Sequence, residues 1–348
     1  MLRSNPPFAT PSPIALPTKT PVPTATPTHP PTATPTPAPT ATPTPAPTAT
    51  PTPGSGVITE FTLPSGTGEP ATITTGPDGA LWFTEESSGK IGRITTAGSI
   101  TEFPLPNPNS EPAGIALGAD GALWVTEKSG NQIDRVTTTG IVTGYPLPHT
   151  DSEPLGIAAG PDGALWFAEE GIGYIGRIQT SGALVQFPIP TTNSDPVGIA
   201  AGPDGALWFT EGGTGKIGRI ATSGTITEFS TPTSDSGPYF ITAGLDGALW
   251  FAEGPADKIG RITTAGSFTE FPIPTAGATP YSIAVGSDGY LWFTEDSANK
   301  IGRVTPSGTI SETVIPTVGS EPFGITSGPD GALWFTEFEA NKIGRIHP

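Results

Sequence analysis

The sequence repeats itself seven times with a fixed step. Its tryptophans are always 42 residues apart, at Trp82, Trp124, Trp166, Trp208, Trp250, Trp292 and Trp334. An Asp followed by Gly keeps the same step, four residues before each tryptophan, from Asp78 to Asp330. A strict period of this length indicates a solenoid, a propeller or an array, because each unit must bury one face against the next.

One period contains four strand signals and no helical periodicity. In the last repeat, EPFGITSG predicts a short strand, and PDGA predicts a turn in which glycine supplies the positive φ. LWFTE predicts a second strand and KIGRI a third, while a fourth strand such as SITEFPLP follows a tight turn. Four antiparallel strands in about 42 residues are typical of a β-propeller blade.

The two ends of the repeated region predict how it closes. It begins with an isolated fourth strand, VITEFTLP at 57–64, and ends with a third strand, KIGRIHP at 342–348. The first strand can therefore complete the last blade and remove the sheet edges that an open stack would expose. The sequence predicts an all-β fold over 57–348, a seven-bladed β-propeller of four-stranded blades closed by its N-terminal outer strand.

The first 56 residues have a different composition. They contain 18 of the 44 prolines and no acidic residue. This composition predicts a disordered Pro/Thr-rich linker or stalk, of the kind that suits O-glycosylation, and it favours an extracellular or cell-surface location. The first residues lack the apolar core of a signal peptide, so we expect the start to be truncated or misassigned.

Charge and composition exclude several classes of function. The region 57–348 holds 13 basic and 32 acidic residues, which argues against nucleic acid or anionic lipid and favours a cation or a basic ligand. Without cysteine there is no disulfide, thiolate metal site or cysteine nucleophile. No apolar run is long enough to span a membrane, and no motif predicts an organic cofactor. We expect a monomer with a small-molecule, peptide or protein ligand.

Strand direction sorts the loops onto two faces. The turns between strands one and two and between strands three and four form one face, here called the Asp-Gly face, and they hardly differ among the copies. The blade-to-blade links and the turns between strands two and three form the link face, and they differ in every copy. Because binding specificity usually resides in loops on a rigid frame, the link face is the predicted working surface.

Each repeat opens and closes at positions that usually carry a carboxylate. The pairs are Glu69/Glu85, Glu111/Glu127, Glu153/Glu169, Asp195/Glu211 and Glu321/Glu337. A hairpin centred on Pro329 would place Glu321 opposite Glu337 on the link face, near the channel. In five blades a lysine follows the second acid by five residues, and a cross-strand ion pair with it would give these acids a purely structural role.

Blades two and three lack that lysine, which favours a second interpretation. Gln132 and Tyr174 take its place. Four carboxylates on adjacent blades are then left without a cation: Glu111, Glu127, Glu153 and Glu169. An oxygen-rich cluster of this kind suits Mg²⁺ or Ca²⁺, so these acids are candidate metal ligands.

The repeat motif EP-x-GI…GPDGALWFTE…NKIGRI…G-x-ITEFPLP resembles the virginiamycin B lyase (streptogramin lyase) family over all of 57–348. The resemblance implies a seven-bladed propeller that opens the ester of cyclic streptogramin B depsipeptides by a Mg²⁺-assisted elimination. It implies a metal held by Glu321 and Glu337. It also implies a general-base histidine at the middle position of EP-x-GI and another one blade earlier, which here are Phe323 and Tyr281.

No copy of the repeat carries the implied histidine. The other middle positions hold Ala71, Ala113, Leu155, Val197 and Tyr239. Because elimination needs a base close to the acidic Cα–H, the sequence favours a binding scaffold without lyase activity. Its binding face is predicted to include Tyr174, Tyr239, Tyr281 and Phe323. The alternative is a divergent Mg²⁺-dependent lyase, for which His149 is the one conceivable base.

Overall fold

The structure is a computed structural model that describes residues 56–348. These residues form 28 strands in seven antiparallel sheets of four strands each, which confirms the predicted seven-bladed propeller. The helical content of this region is one 3-10 turn, Glu170–Ile172. The linker predicted for 1–56 lies, apart from Gly56, outside the described residues.

Each blade runs from an inner to an outer strand, and blade seven takes its outer strand from the start of the propeller. The strands are, in blade one, β2 (Pro70–Thr75), β3 (Leu81–Glu85), β4 (Lys90–Ile94) and β5 (Ile100–Pro104); in blade two, β6 (Pro112–Leu117), β7 (Leu123–Glu127), β8 (Gln132–Val136) and β9 (Val142–Pro146); in blade three, β10 (Pro154–Ala159), β11 (Leu165–Glu169), β12 (Tyr174–Ile178) and β13 (Leu184–Pro188); in blade four, β14 (Pro196–Ala201), β15 (Leu207–Glu211), β16 (Lys216–Ile220) and β17 (Ile226–Ser230); in blade five, β18 (Pro238–Ala243), β19 (Ala248–Glu253), β20 (Lys258–Thr263) and β21 (Phe268–Pro272); in blade six, β22 (Pro280–Val285), β23 (Leu291–Glu295), β24 (Lys300–Val304) and β25 (Ile310–Val314); and in blade seven, β26 (Pro322–Ser327), β27 (Leu333–Glu337), β28 (Lys342–Ile346) and β1 (Ile58–Thr62).

The ring closes through the pairing of β1 with β28. Ile58 lies opposite Ile346 and Thr62 lies opposite Lys342, in an unbroken antiparallel register. The amide of Gly56 donates to the carbonyl of His347 at 3.0 Å and extends this ladder beyond β1. The predicted closure by the N-terminal strand is therefore confirmed.

The repeated Asp-Gly turn fixes the tryptophan of its own blade. In blade one the Asp78 carboxylate accepts hydrogen bonds from Trp82 Nε1 at 3.0 Å and from Arg93 Nε at 2.6 Å, and Gly79 takes the φ of 73° that the turn requires. The Arg93 guanidinium lies over the Trp82 ring, 5.9 Å from its centroid. The residues that repeat most strictly thus form a structural unit on the Asp-Gly face.

The tryptophans form the core between blades. Six of them are completely buried and Trp292 is 5% exposed. Trp82 stacks on Phe103 of its own blade and packs in one cluster with Ile115 and Leu123 of the next blade. An aromatic side chain of this size buries about 150–250 Å², which stabilises the ring by at most about 4–6 kcal/mol per residue.

Hydrogen bonds also join the second strand of one blade to the inner strand of the next blade. Thr126 of blade two donates its hydroxyl to the carbonyl of Leu155 in blade three at 2.6 Å. Thr336 does the same to Ala71, at 2.7 Å, across the junction between blades seven and one. The backbones approach so closely that a Cβ at Gly156 would clash with the carbonyl of Val197. The carbonyls next to the channel are thereby held in place.

Removing β1 should destabilise the whole ring, because β28 would lose its partner and blade seven would expose an edge. We expect deletion of residues 1–63 to lower Tm by about 10 °C or more and to cause aggregation that depends on concentration. Deletion of residues 1–55 leaves every described strand in place and serves as the control. Equal Tm values for the two truncations, measured by calorimetry, would contradict this account of closure.

Candidate functional site

A cavity of about 310 Å³ opens at the centre of the link face. We call it the mouth pocket. Its walls are the first residues of the inner strands and the residues that directly follow the second strands. The mouth pocket therefore lies on the link face, whose loops differ among the blades.

Two positions of each repeat supply most of the pocket wall. The first is the middle residue of the EP-x-GI motif, which is alanine, leucine or valine in blades one to four and aromatic in blades five to seven. The second is the residue after the second acid, and the pocket lining includes Glu86, Lys128, Glu170 and Phe338 at this position. The pocket therefore has a charged half on blades one to three and an aromatic half on blades five to seven.

The aromatic half is a continuous set of rings that contact one another with tilted planes. The rings of Tyr281 and Phe323 lie 3.8 Å apart between centroids, and Tyr239 lies 4.8 Å from Tyr281. Phe338 extends the set, 5.5 Å from Phe323. Gly254 makes room for this arrangement, since a Cβ there would clash with the Tyr239 ring. Three of the four residues predicted for the binding face are thus brought together.

The charged half is centred on Lys128. Its ammonium donates to Glu170 at 3.0 Å and lies 3.7 Å from Glu153. Burial disfavours the Lys128 charge, but the hydrogen bond and the charge of Glu170 outweigh it and raise the Lys128 pKa. Burial and the nearby Glu111 carboxylate raise the pKa of Glu86 on the neighbouring blade. The small side chains of Ala71 and Ala113 leave these charged groups open to the pocket.

Isoleucines form the floor below the mouth pocket. A smaller space of about 140 Å³ is lined by the isoleucines that close the EP-x-GI motif, namely Ile73, Ile115, Ile157, Ile199, Ile241, Ile283 and Ile325. They are nearly buried, with exposures of 5–8%. Thr72, Ser282 and the motif glycines Gly114, Gly156 and Gly324 also line this space, so its surface combines polar and apolar groups.

The paired acids of the repeat do not lie opposite each other as predicted. In the last inner hairpin, Pro322 and not Glu321 is the partner of Glu337. Glu321 takes a left-handed conformation, with φ of 49°, and is exposed, while Glu337 is completely buried. The prediction is wrong because the turn is centred on Asp330, one residue later than assumed, and a bulge between Pro322 and Ile325 shifts the register again.

The prediction for the lysines is correct for their position opposite the second acid and wrong for their ion-pair partner. In blade six Lys300 lies directly opposite the second acid, Glu295, as expected. Its ammonium instead binds the outer-strand carboxylate of Glu312 at 3.1 Å and the hydroxyl of Thr275 at 2.5 Å. The same lysine–outer-strand pair occurs in blades one, four, five and seven. Each of these blades therefore holds two carboxyl groups beside one ammonium.

The second acids are buried and hold their protons more tightly than ordinary glutamates. Neither oxygen of Glu295 has a donor among the described residues, and burial together with the Glu312 carboxylate raises its pKa to about 8. Burial likewise raises the pKa to about 7 for Glu85, Glu169 and Glu253 and to about 8 for Glu211 and Glu337. These acids belong to the interior of the blades, away from the pocket surface.

Blades two and three replace the lysine together with its acidic partner. In blade two, Gln132 donates to Glu127 at 2.6 Å and to Asp134 at 3.1 Å, and the outer strand carries Gly144 opposite Asp134. In blade three, Gln186 of the outer strand donates to Glu169 at 2.6 Å. In blade three the missing cation is thus compensated by a neutral donor and by the loss of the outer-strand glutamate. In blade two the buried Asp134 adds a second carboxyl group beside Glu127, and burial and the Glu127 charge raise the Asp134 pKa to about 9.

The four candidate metal ligands of blades two and three are in different environments. Glu127 and Glu169 are buried within their blades, whereas Glu153 is exposed and lies near Lys128. Glu111 accepts a hydrogen bond from Ser129 at 2.5 Å. In residues 56–348 no group of three or more His, Asp or Glu side chains has an arrangement that could hold a metal ion.

His149 and Tyr174 lie together away from the mouth pocket. Their rings are 5.4 Å apart, and neither residue belongs to the lining of that pocket. They occupy the positions that hold Thr191 and Lys216 in the next blade, where the lysine donates to the threonine at 2.6 Å. The aromatic pair is therefore a local replacement of a rim contact, and Tyr174 is the one predicted binding-face residue outside the aromatic half.

Comparison with known proteins agrees with this architecture. The sequence matches the virginiamycin B lyase family over residues 50–235 and 201–348. The chain belongs to the virginiamycin B lyase family. The resemblance stated from the repeat motif is thereby confirmed.

Solved structures of the virginiamycin B lyase family superpose on most of the chain. Selenomethionine-substituted virginiamycin B lyase from Staphylococcus aureus is 44% identical, with a TM-score of 0.80, covering 84% of this chain and 99% of that one. A streptogramin B lyase is 40% identical, with a TM-score of 0.81, covering 84% and 97%. A catalytically inactive histidine-to-alanine variant of the S. aureus enzyme with quinupristin is 43% identical, with a TM-score of 0.81, covering 84% and 99%.

The metal implied by the virginiamycin B lyase family does not fit the described residues well. Its two expected ligands, Glu321 and Glu337, differ in burial and are offset in register. Burial and then the Glu60 carboxylate raise the Glu337 pKa to about 8, which favours the protonated form, a poor metal ligand. Glu321 and Glu337 are therefore poorly suited to share a metal ion.

Several pocket residues were missed from the sequence. Glu86, Lys128, Glu170 and Phe338 line the mouth pocket but were not singled out. A signal for them exists, because the position after the second acid differs among most copies while the second acid itself is glutamate in every copy. Variation directly after a constant strand end is therefore as informative here as variation in the links.

The raised acid pKa values predict how stability depends on pH. The Glu295 pKa rises from 4.5 to about 8 on folding, so its contribution is complete below about pH 4.5 and is lost as the pH rises to about 8. We expect Glu295→Gln to raise Tm at pH 9 by about 2 °C or more, because the variant has no buried charge to form. At pH 5 the gain should disappear.

The matched control is Glu339→Gln, at an exposed position of the link face. Its Tm difference from the parent chain should be the same at both pH values. A Glu295→Gln variant that is equally destabilised at pH 5 and pH 9 would contradict the assignment of a protonated, buried carboxyl. The measurement is thermal unfolding by circular dichroism.

Proposed function

We propose that this protein is a propeller that binds a ligand in the mouth pocket and lacks the lyase activity of its relatives. The observation that carries the proposal is the pair Tyr281 and Phe323, whose tilted rings lie 3.8 Å apart between centroids at the two positions where the family resemblance implies histidines. Phenylalanine cannot accept a proton. The same ring contact gives the pocket an aromatic wall, which suits binding.

Tyr281 is also a poor base. Burial, followed by the charges of neighbouring groups, raises its pKa further above the ordinary value of 10. A phenolate is therefore strongly disfavoured at neutral pH. General-base catalysis typically contributes about 10²–10⁴-fold to a proton abstraction, so a site without a base loses most of the rate. The catalytically inactive histidine-to-alanine variant of the S. aureus enzyme supports the same argument by analogy.

The second candidate function is a divergent streptogramin B lyase. It is favoured by the 44% identity to virginiamycin B lyase and by the presence of both glutamates, Glu321 and Glu337. Its base would have to be His149, which is exposed and lies against Tyr174 instead of facing the pocket. We therefore prefer the binding function.

The location and the oligomeric state of the protein are also part of the proposal. The Thr/Pro-rich tract supports an extracellular or cell-surface protein in which the tract separates the propeller from its point of attachment. In the part of the chain that the structure describes, no helix has the length and apolarity that a membrane crossing needs. We propose a monomer whose ligand is a small molecule, a peptide or a segment of a protein.

A direct assay separates the two candidate functions. We expect the full chain, incubated with a streptogramin B and Mg²⁺, to give no linear product above the uncatalysed background by mass spectrometry. The S. aureus enzyme is the positive control. Product that requires Mg²⁺ and is lost in both Glu321→Gln and Glu337→Gln, with Tm retained, would establish the lyase instead.

Thermal shifts test the metal prediction. Because the described residues hold no group of three suitable ligands, we expect millimolar Mg²⁺ or Ca²⁺ to change Tm by less than about 1 °C. A larger shift that is lost in Glu127→Gln/Glu169→Gln would place a metal in blades two and three. A shift lost only in Glu321→Gln/Glu337→Gln would place it at the pair implied by the family.

A further inference from the structure

We propose that the mouth pocket selects an organic cation, a small molecule that joins a planar apolar ring to a protonated amine. The ring would lie against the aromatic half of the pocket and the amine would face Glu86 and Glu170. This inference rests on the proposed binding function and adds the chemical class of the ligand.

The aromatic half presents a surface for one flat group. Tyr239, Tyr281, Phe323 and Phe338 form a chain of rings with centroid separations of 3.8–5.5 Å. Phe240 adds a further ring, 5.4 Å from Tyr281. Apolar rings prefer offset or edge contacts with other rings, and the faces of such rings also attract cations.

The opposite half of the pocket carries a net negative charge. It contributes the carboxylates of Glu86 and Glu170 and the ammonium of Lys128, which is already bound to Glu170 at 3.0 Å. Around the opening the link face adds further acids, Glu69, Glu111, Glu153, Asp296 and Glu321. An anionic ligand would have to approach this field of negative charge, whereas a cation is attracted by it.

Few basic groups offset this charge. The lysines of the rim are held by outer-strand glutamates, as Lys300 is by Glu312 at 3.1 Å. The repeated arginines belong to the Asp-Gly face, where Arg93 and its equivalents bind the turn aspartates. The opening of the pocket therefore has more carboxylates than basic groups, and its basic groups are each bound to an acid of the protein, as Lys128 is to Glu170.

The field of these acids reaches the aromatic half. After burial and Tyr239, the groups that raise the Tyr281 pKa are Glu170, Glu86 and Asp296. The carboxylates on one side of the pocket thus act electrostatically on a ring on the other side. A single ligand that touches the rings would experience the same negative potential at its amine.

The size of the pocket limits the ligand. A volume of about 310 Å³ is at the lower end of the range for small-molecule sites and fits one ring system with a short chain. The isoleucine layer lies beneath it. Because Glu86 and Glu170 line the mouth pocket itself, the amine of the ligand would lie beside them, while the ring would contact the aromatic half.

Three probes with matched parts test the proposal. Tryptamine carries the ring and the amine, indole-3-propionate carries the same ring and a carboxylate, and butylamine carries only the amine. Isothermal titration calorimetry on the full chain should give a Kd for tryptamine that is at least about tenfold lower than for either of the others. Raising the salt concentration should weaken tryptamine binding, because screening reduces the attraction.

Substitutions in each half of the pocket test which part of the ligand that half binds. Glu86→Gln/Glu170→Gln should weaken tryptamine about tenfold and reduce its preference over indole-3-propionate. Phe323→Ala should weaken both indole probes. The exposed Glu339→Gln removes one charge from the same face outside the pocket and should leave all three affinities unchanged. Tm values show that each variant is folded.

Two results would overturn the inference. Indole-3-propionate that binds as tightly as tryptamine would show that the pocket ignores charge, while the proposed binding function would stand. No binding by any probe would also refute the organic-cation inference. The lyase assay decides the proposed function separately, since turnover of a streptogramin B would refute that function whatever the probes show.

Discussion

The contact between the turn aspartate and the buried tryptophan underlies the rest of the propeller. An indole N–H that is buried without an acceptor is costly, and Asp78 removes that cost for Trp82 with a 3.0 Å hydrogen bond. The same carboxylate binds Arg93 at 2.6 Å, so strands β2, β3 and β4 are joined at one point. Because the unit recurs in every blade, neighbouring blades pack against equivalent surfaces and the ring can close.

This rigid frame leaves the link face free to differ among blades. Inner-strand carbonyls such as that of Phe323 accept a hydrogen bond from a threonine of the previous blade, here from Thr294 at 2.9 Å. The carbonyls of Ala71, Ala113, Leu155 and Tyr239 accept the same bond, so it forms with small, aliphatic and aromatic side chains at this position. The backbone is therefore independent of the residue that faces the pocket. Alanine, leucine, valine, tyrosine and phenylalanine all occupy this position in one chain, which is how a repeated scaffold builds an asymmetric pocket.

The fold could be predicted from the sequence because period, turn chemistry and chain ends all point to the same ring. The site was predicted less well, for a physical reason. Alternation places a side chain on one face of a strand, but the bulge between Pro322 and Ile325 changes that face without a clear sequence signal. The partner of Lys300 was also missed, because Glu312 comes from the next strand and no spacing rule prefers it to Glu295.

A crystal structure of the chain grown with tryptamine tests the central claim, that the mouth pocket is the working site, most directly. The account predicts the indole ring in van der Waals contact with Tyr281 and Phe323, with the amine facing Glu170. Indole bound only on the Asp-Gly face or between blades, with the mouth pocket holding solvent, would contradict it.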